Sequence, residues 1–267
     1  MQFGARSDTG RVRENNEDSY RLSPDLGLYV ISDGMGGQAS GEVASRLATE
    51  TIMAHCRAAR RNPSLPFVGA PLDGISPLAN RLVSATRLAN REICDSARIT
   101  ASQRGMGATV TAAWFHDGRM TLAHVGDSRA YRYRAGELEQ LTTDHSFVAE
   151  QVRHGMMSAH EAGSSSMQSV LLRALGVEPE VEIDVDEQLV LPGDTILLCS
   201  DGLTRELSDP AIAAVLGATS DAEEAAARLV NLANQAGGGD NVTVIVLHCA
   251  AKRGLFARLK RLFKSSS

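Results

Sequence analysis

The chain has 267 residues, 43% of them hydrophobic and 22% charged, which suits a soluble globular protein with a sizeable core. Its net charge of −5 conceals a split: six of the 27 basic residues lie in 252–267, a stretch without any acid, so the rest sets 21 basic against 32 acidic residues. An acidic body argues against nucleic-acid binding, which needs a basic face, and runs such as TILLC and VTVIVL are far too short to span a bilayer.

The N-terminus MQFGARSDTGR has no apolar core, so no secretory signal is read there and a cytoplasmic location is expected. Residues 26–32 (LGLYVIS) read as a buried strand ending at Asp33-Gly34. A helix is predicted from about Ala39 to Arg60, with Val43, Ala44, Leu47, Ala48 and Ile52 on one face. Residues 62–76, with Pro63, Pro66, Gly69, Pro71 and Asp73-Gly74, read as a loop. Ser76 is the candidate N-cap of a second helix, with Pro77 in its first turn, that runs to Ala97. Then TVTAAWF and RMTLAHV flank Asp117-Gly118, the strongest short hairpin signal in the chain. RAYRYR and ELEQL follow, joined by Ala135-Gly136. Residues 144–170 are polar and weakly periodic and read as short helices in a mobile segment. VEIDVDEQLVL and DTILLCS are predicted strands around Pro192-Gly193; 209–217 and 221–235 are predicted helices, and NVTVIVLHC a last strand. Hairpins dominate and no regular βαβ alternation occurs, so antiparallel sheets with helices packed outside are expected. The four cysteines show no C-x-x-C, and buried free thiols are expected.

Five aspartates punctuate this pattern, each beside glycine or asparagine at the edge of a strand-like run: Asp18 in RENNED, Asp33 in VISDGMGG, Asp127 in AHVGDSRAY, Asp201 in LLCSDGL and Asp240 in GGGDNVTVIVL. A carboxylate at a strand end is held by rigid backbone yet reaches the sheet rim. Several converging there would repel one another unless a cation neutralised them, and an all-oxygen set of hard ligands suits Mg2+ or Mn2+ rather than Zn2+. Any one Asp-Gly is more often a plain turn; the joint placement is what points to a site.

The ordered motifs GRVRENNED, DGMGG, GMGATVTAA, GDSRAY, RALG, SDGL and GGDNVT resemble the metal-dependent protein phosphatase family (PPM, type 2C) in its compact bacterial form, over about residues 4–249. The resemblance implies an α+β fold, a four-layer αββα sandwich of two antiparallel sheets flanked by helices, filling a catalytic domain of residues 1–251. It implies a protein serine/threonine phosphatase in which metal-activated water attacks phosphorus with no phosphoenzyme, opposing a cognate Ser/Thr kinase and acting on phosphoproteins, as a monomer. By the same resemblance the metal ligands are Asp18, Asp33, the Gly34 carbonyl, Asp127, Asp201 and Asp240. Asp33 bridges two tight Mn2+ or Mg2+ ions, Asp127 and Asp201 serve a weaker third, and Glu17 and Asn241 stand behind the ligands. Arg13 falls where the family grips substrate phosphate, and a guanidinium can hold two phosphate oxygens at once. Arg129 has two readings, a substrate contact or a partner of nearby acids, and both stay open.

Thr109 and Ala108 are read as packing residues near the site, His124 as a core histidine, and His145 either as structural or as a substrate contact. Two departures from the family stand out. Met35 replaces the histidine that follows Asp-Gly in animal members, which leaves the general acid open between metal-bound water and a flap histidine. Arg205 stands where some relatives carry an acid, four residues after Asp201, which leaves the third ion short of ligands. A rival reading, a non-catalytic phosphoprotein-binding module with a decayed site, is opposed by the intact aspartates and Arg13. In the tail 252–267, Leu255, Phe256, Leu259, Leu262 and Phe263 share one helical face opposite the cations. That pattern reads as weak contact with an anionic membrane or acidic partner, or as a terminal helix on the protein's own acidic body.

Overall fold

In β3 (Leu28–Met35), Leu28 and Val30 point one way and Tyr29 and Ile31 the other, and all four are buried. A strand apolar on both faces must be covered on both sides. The same holds for β11 (Val242–His248), whose Val242, Val244 and Val246 alternate with Ile245 and Leu247. Two sheets stacked face to face, each with helices on its outer side, satisfy both strands, and that is the architecture of the computed structural model, which describes residues 1–37, 40–163 and 165–249. The tail 252–267, and with it the boundary set at 251, lies outside the described residues.

One sheet has the order β1 (Gln2–Asp8), β11, β10 (Thr195–Cys199), β7 (Arg129–Arg134), β8 (Glu137–Gln140). The other runs β2 (Asp18–Ser23), β3, β5 (Val110–His116), β6 (Arg119–Val125), β9 (Asp184–Leu189), with the two-residue β4 (Gly107–Ala108) also on β3. Every pairing is antiparallel. Leu28 and Val30 pack under α1 (Ser40–Arg61) and α2 (Pro77–Ile99), against Ala48, Ile52, Leu82 and Ile93. Tyr29 and Ile31 meet Ile196, Leu198, Ile245 and Leu247 between the sheets. Val242, Val244 and Val246 pack against α6 (Asp209–Ala218) and α7 (Ala222–Ala236). The expected four-layer sandwich is the fold observed.

Ser76 caps α2 as expected, its side chain accepting from the Ala79 N–H, and the helix runs two residues beyond Ala97. Asp117 and Ala135 both adopt positive φ, +47° and +52°, closing the β5–β6 and β7–β8 hairpins. The polar segment holds two short helices, α3 (Phe147–Arg153) and α4 (Ala159–Gly163). All four cysteines are free and buried. Three features depart from the expectations. The strands β1 and β2 were not foreseen, since QFGARSD and DSYRLS carry few apolar residues. A four-residue helix α5 (Asp201–Thr204) follows β10. The Pro192-Gly193 turn does not close a hairpin but carries the chain from β9 in one sheet to β10 in the other. Among the described residues no helix is long and apolar enough to cross a membrane.

Candidate functional site

Antiparallel register brings the five aspartates to one end of the sandwich. Asp18 opens β2 directly opposite Asp33 near the end of β3. Val110 pairs with Val125, so the segment carrying Asp127 leaves β6 beside the start of β5. Cys199 pairs with Val244 and with Arg129, so Asp201 leaves β10 where β11 begins, just after Asp240. A cleft of about 360 Å³ opens there, lined by Asp33, Asp127, Asp201, Asp240, Arg13 and Arg205, with Glu17, Gly34, Met35 and Asn241 also on its wall.

Close backbone approach makes this convergence possible. A side chain on Gly34 would meet the Gly41 carbonyl at 2.0 Å, so only glycine lets the end of β3 press against the start of α1. Gly126 has φ +109° and a Cβ there would sit 2.6 Å from Thr109, so glycine makes the turn that delivers Asp127. Thr109 Oγ1 accepts from the Asp33 N–H at 2.9 Å and bonds Ser128 Oγ at 2.7 Å, which ties the Asp33 strand to the Asp127 turn. This is the packing role expected of Thr109. Ser200 N-caps α5 by position, and its hydroxyl turns away to donate to Asp18 Oδ2 at 2.8 Å while accepting from the Thr243 N–H. Asn241 uses its whole amide: Nδ2 donates to the Thr9 and Asn15 carbonyls at 2.9 and 2.8 Å, and Oδ1 accepts from the Glu17 N–H at 2.8 Å. It staples the loop that carries Arg13, Glu17 and Asp18 onto the base of β11.

The electrostatics are those of a cluster short of positive charge. Burial, then the charges of Asp18 and Asp201, push Asp33 well above the usual carboxylate range. Burial raises Asp18 to about 7 against hydrogen bonds from Thr243 and Ser200, and raises Asp127 to about 8, with Asp201 and Asp144 adding repulsion. Burial also raises Asp201 and Glu17. Arg13 Nη2 meets Asp240 Oδ2 at 2.8 Å while its side chain remains 54% exposed, and that contact raises its pKa further. Arg205 pairs with both Asp201 and Asp240. Even so, Asp18 Oδ1 and Asp201 Oδ1 are buried without a partner. Among the described residues no three His, Cys, Asp or Glu side chains stand in a closed ligand set as they are, and the arginines hold Asp201 and Asp240. The donor chemistry nonetheless fits divalent cations: hard oxygens only, two of them orphaned, and several carboxyls that only added positive charge would keep ionised. The candidate ligands Asp33, Asp127, Asp201 and Asp240 thus share the cleft, and Asp18 stands behind it facing Asp33 and Ser200.

The two histidines in question are interior. His124 Nδ1 bonds Thr111 Oγ1 at 3.0 Å and Nε2 bonds the Thr143 carbonyl at 3.1 Å, and burial lowers its pKa to about 4. His145 accepts from the Gly126 N–H at Nδ1, so its proton lies on Nε2, toward Asp184 at 3.1 Å. It braces the Asp127 turn from behind and does not line the cleft. Arg129 forks onto Asp144 at 2.7–3.1 Å, which decides for the pairing reading. Sequence reasoning passed over Ser200, Thr243 and the double pairing of Arg205. The N-cap serine before Asp-Gly and the i,i+4 spacing of Asp201 and Arg205 were the available signals.

A family model described as protein phosphatase 2C matches residues 10–236. The chain belongs to this family. The serine/threonine protein phosphatase PstP of Mycobacterium tuberculosis is 39% identical over 249 residues, covering 92% of this chain and 44% of that protein. The chain thus spans less than half the length of this relative. The serine/threonine phosphatase stp of Listeria monocytogenes is 34% identical over 250 residues, covering 92% of this chain and 95% of the relative. A crystal structure of the PstP catalytic domain in complex with two manganese ions superposes with a TM-score of 0.78 at 38% identity, covering 94% of this chain and 98% of that one.

Proposed function

We propose that the chain is a protein serine/threonine phosphatase that hydrolyses phosphoserine and phosphothreonine in proteins and so opposes a Ser/Thr kinase. The observation that carries this reading is the pair of orphaned oxygens, Asp18 Oδ1 and Asp201 Oδ1, buried within a five-aspartate cluster beside an exposed arginine. Asp33, Asp201, Asp240 and the Gly34 carbonyl would hold two divalent ions, Mn2+ or Mg2+, with Asp18 and Glu17 behind them and Asp127 with Asp201 beside a weaker third. When bound, such ions would lower the pKa of water at the site and offset charge developing on the phosphoryl group.

The chain's own residues do the rest. Arg13, on the cleft rim, grips two phosphate oxygens through its planar fork and turns the ester toward the carboxylates. Asn241 and Ser200 hold the Arg13 loop and Asp18 in place. Met35 lines the cleft but carries no transferable proton, and His145 is engaged on both nitrogens, so neither supplies the leaving-group proton. The protein works as a cytoplasmic monomer, and the 252–267 tail serves location rather than chemistry. Phosphate release from a phosphothreonine peptide tests the reading: chelation should abolish it and Mn2+ or Mg2+ should restore it. Full turnover in chelator would refute it.

A further inference from the structure

Arg205 directly follows α5, one turn on from Asp201, and its backbone N–H closes that turn on the Asp201 carbonyl at 2.9 Å. The side chain folds back over the same turn. One terminal nitrogen meets Asp201 Oδ2, and the other meets Asp240 Oδ2 at 3.0 Å. Arg13 takes that same Asp240 oxygen at 2.8 Å, so a single oxygen carries two guanidiniums while Asp201 Oδ1 carries none. The Arg205 side chain is 28% exposed and borders two spaces: the carboxylate cleft and an adjoining cavity of about 560 Å³ lined by Thr204, Val152, Arg153 and Gly163. The adjoining cavity, which Asp144 also lines, gives its charged end a space to turn into away from Asp201 and Asp240.

We propose that Arg205 is a displaceable internal counter-ion. It competes with divalent ions for Asp201 and Asp240, holds the cluster together in the metal-free protein and sets how tightly the ions bind. The inference rests on the metal-site reading above. A guanidinium and a divalent cation on the same carboxylate oxygens repel at contact range, where one pair of like charges already outweighs thermal energy. Ion uptake then displaces the Arg205 side chain toward the adjoining cavity. Arg13 differs, because it touches Asp240 alone and is already mostly in solvent, so it yields at little cost and stays free for phosphate.

The test strips wild type, Arg205→Ala, Arg205→Gln and Arg205→Lys of metal, then measures Mn2+ binding by calorimetry and thermal melting before and after loading. A charge-assisted hydrogen bond removed from the competing state predicts Mn2+ binding on the order of 10- to 100-fold tighter in the Ala variant. The stripped Ala variant should melt below wild type and the loaded one level with it, with Lys intermediate. If Ala does not fold when stripped, Gln, which keeps much of the bulk without the charge, carries the same expectation. Equal or weaker Mn2+ binding in the uncharged variants would overturn the proposal and leave Arg205 a structural pair. Absence of Mn2+ binding by wild type and variants alike would instead bring down the metal-site reading, and this proposal with it.

Discussion

Two arginine–aspartate clusters flank Asp127, and they are built in opposite ways. On one side Arg129 forks onto Asp144, reaches the Tyr131 hydroxyl at 2.9 Å, and Tyr131 donates to Asp209 at 3.2 Å. Gln140 adds a further donor to Asp144, so both carboxylate oxygens are occupied. On the other side Arg13 and Arg205 crowd one oxygen of Asp240, while oxygens of Asp18 and Asp201 have no partner. The residue types are the same. The first cluster matches charge to charge and holds β7 to the segment leading into α3. The second has more negative charge than its arginines can satisfy, and that surplus is what equips it to take up cations.

The comparison breaks or sharpens most clearly at Asp33. Asp33→Asn should cost at least on the order of a thousandfold in phosphopeptide turnover, because one charge central to the cluster is lost. Its stripped form should melt no lower than wild type, since burial already disfavours the ionised carboxyl. Arg129→Ala should do the reverse. It strands Asp144 largely buried, so stability should fall by about 3 kcal/mol and Tm by roughly 6–12 °C, with kcat/KM at low temperature within a few-fold of wild type. Equal melting losses in the two variants would erase the distinction. Next in size, Arg13→Ala should lower kcat/KM by roughly 10- to 150-fold, chiefly through KM, because the guanidinium grips ground state and transition state alike. A collapsed kcat with KM unchanged would remove Arg13 from phosphate binding.

The comparison also bears on pH dependence. Asp18 at about 7 and Asp127 at about 8 stand above their ordinary 3.8, so between roughly pH 4 and 8 the stripped fold binds more protons than the unfolded chain. Stability therefore falls as pH rises through that window. The stripped protein should melt lower at pH 8 than at pH 6, and saturating Mn2+ should shrink the gap. A Tm that holds or rises from pH 6 to 8 in chelator would contradict a charge-starved cluster.

Much of this was legible in the chain itself. Apolar periodicity places α1, α2, α6 and α7, alternation and Asp117-Gly118 place the β5–β6 hairpin, and the strand-end aspartates mark the cleft. β1 and β2 escape because they are poor in apolar side chains: Gly4 sits against the start of α7, and only Ser23 of β2 is buried. The step from β9 to β10 looks like a hairpin because alternation reports which residues are buried, not which of two stacked sheets buries them. The wiring of the site escapes for a related reason. Ser200 to Asp18 spans 182 positions and Arg13 to Asp240 spans 227, and local pattern carries no information at that range.

The Asn241 staple and the β1–β11 pairing have a consequence for synthesis. The loop with Arg13 and Asp18 leaves the ribosome more than two hundred residues ahead of its anchor at residues 240–248. Until then β1 has no partner strand, Asp18 lacks the Ser200 hydroxyl, and the cluster lacks Asp201 and Asp240. The carboxylate cleft is therefore incomplete until the last strand has emerged. Its folding must also wait on contacts of very long sequence separation, which places it among slow-folding topologies.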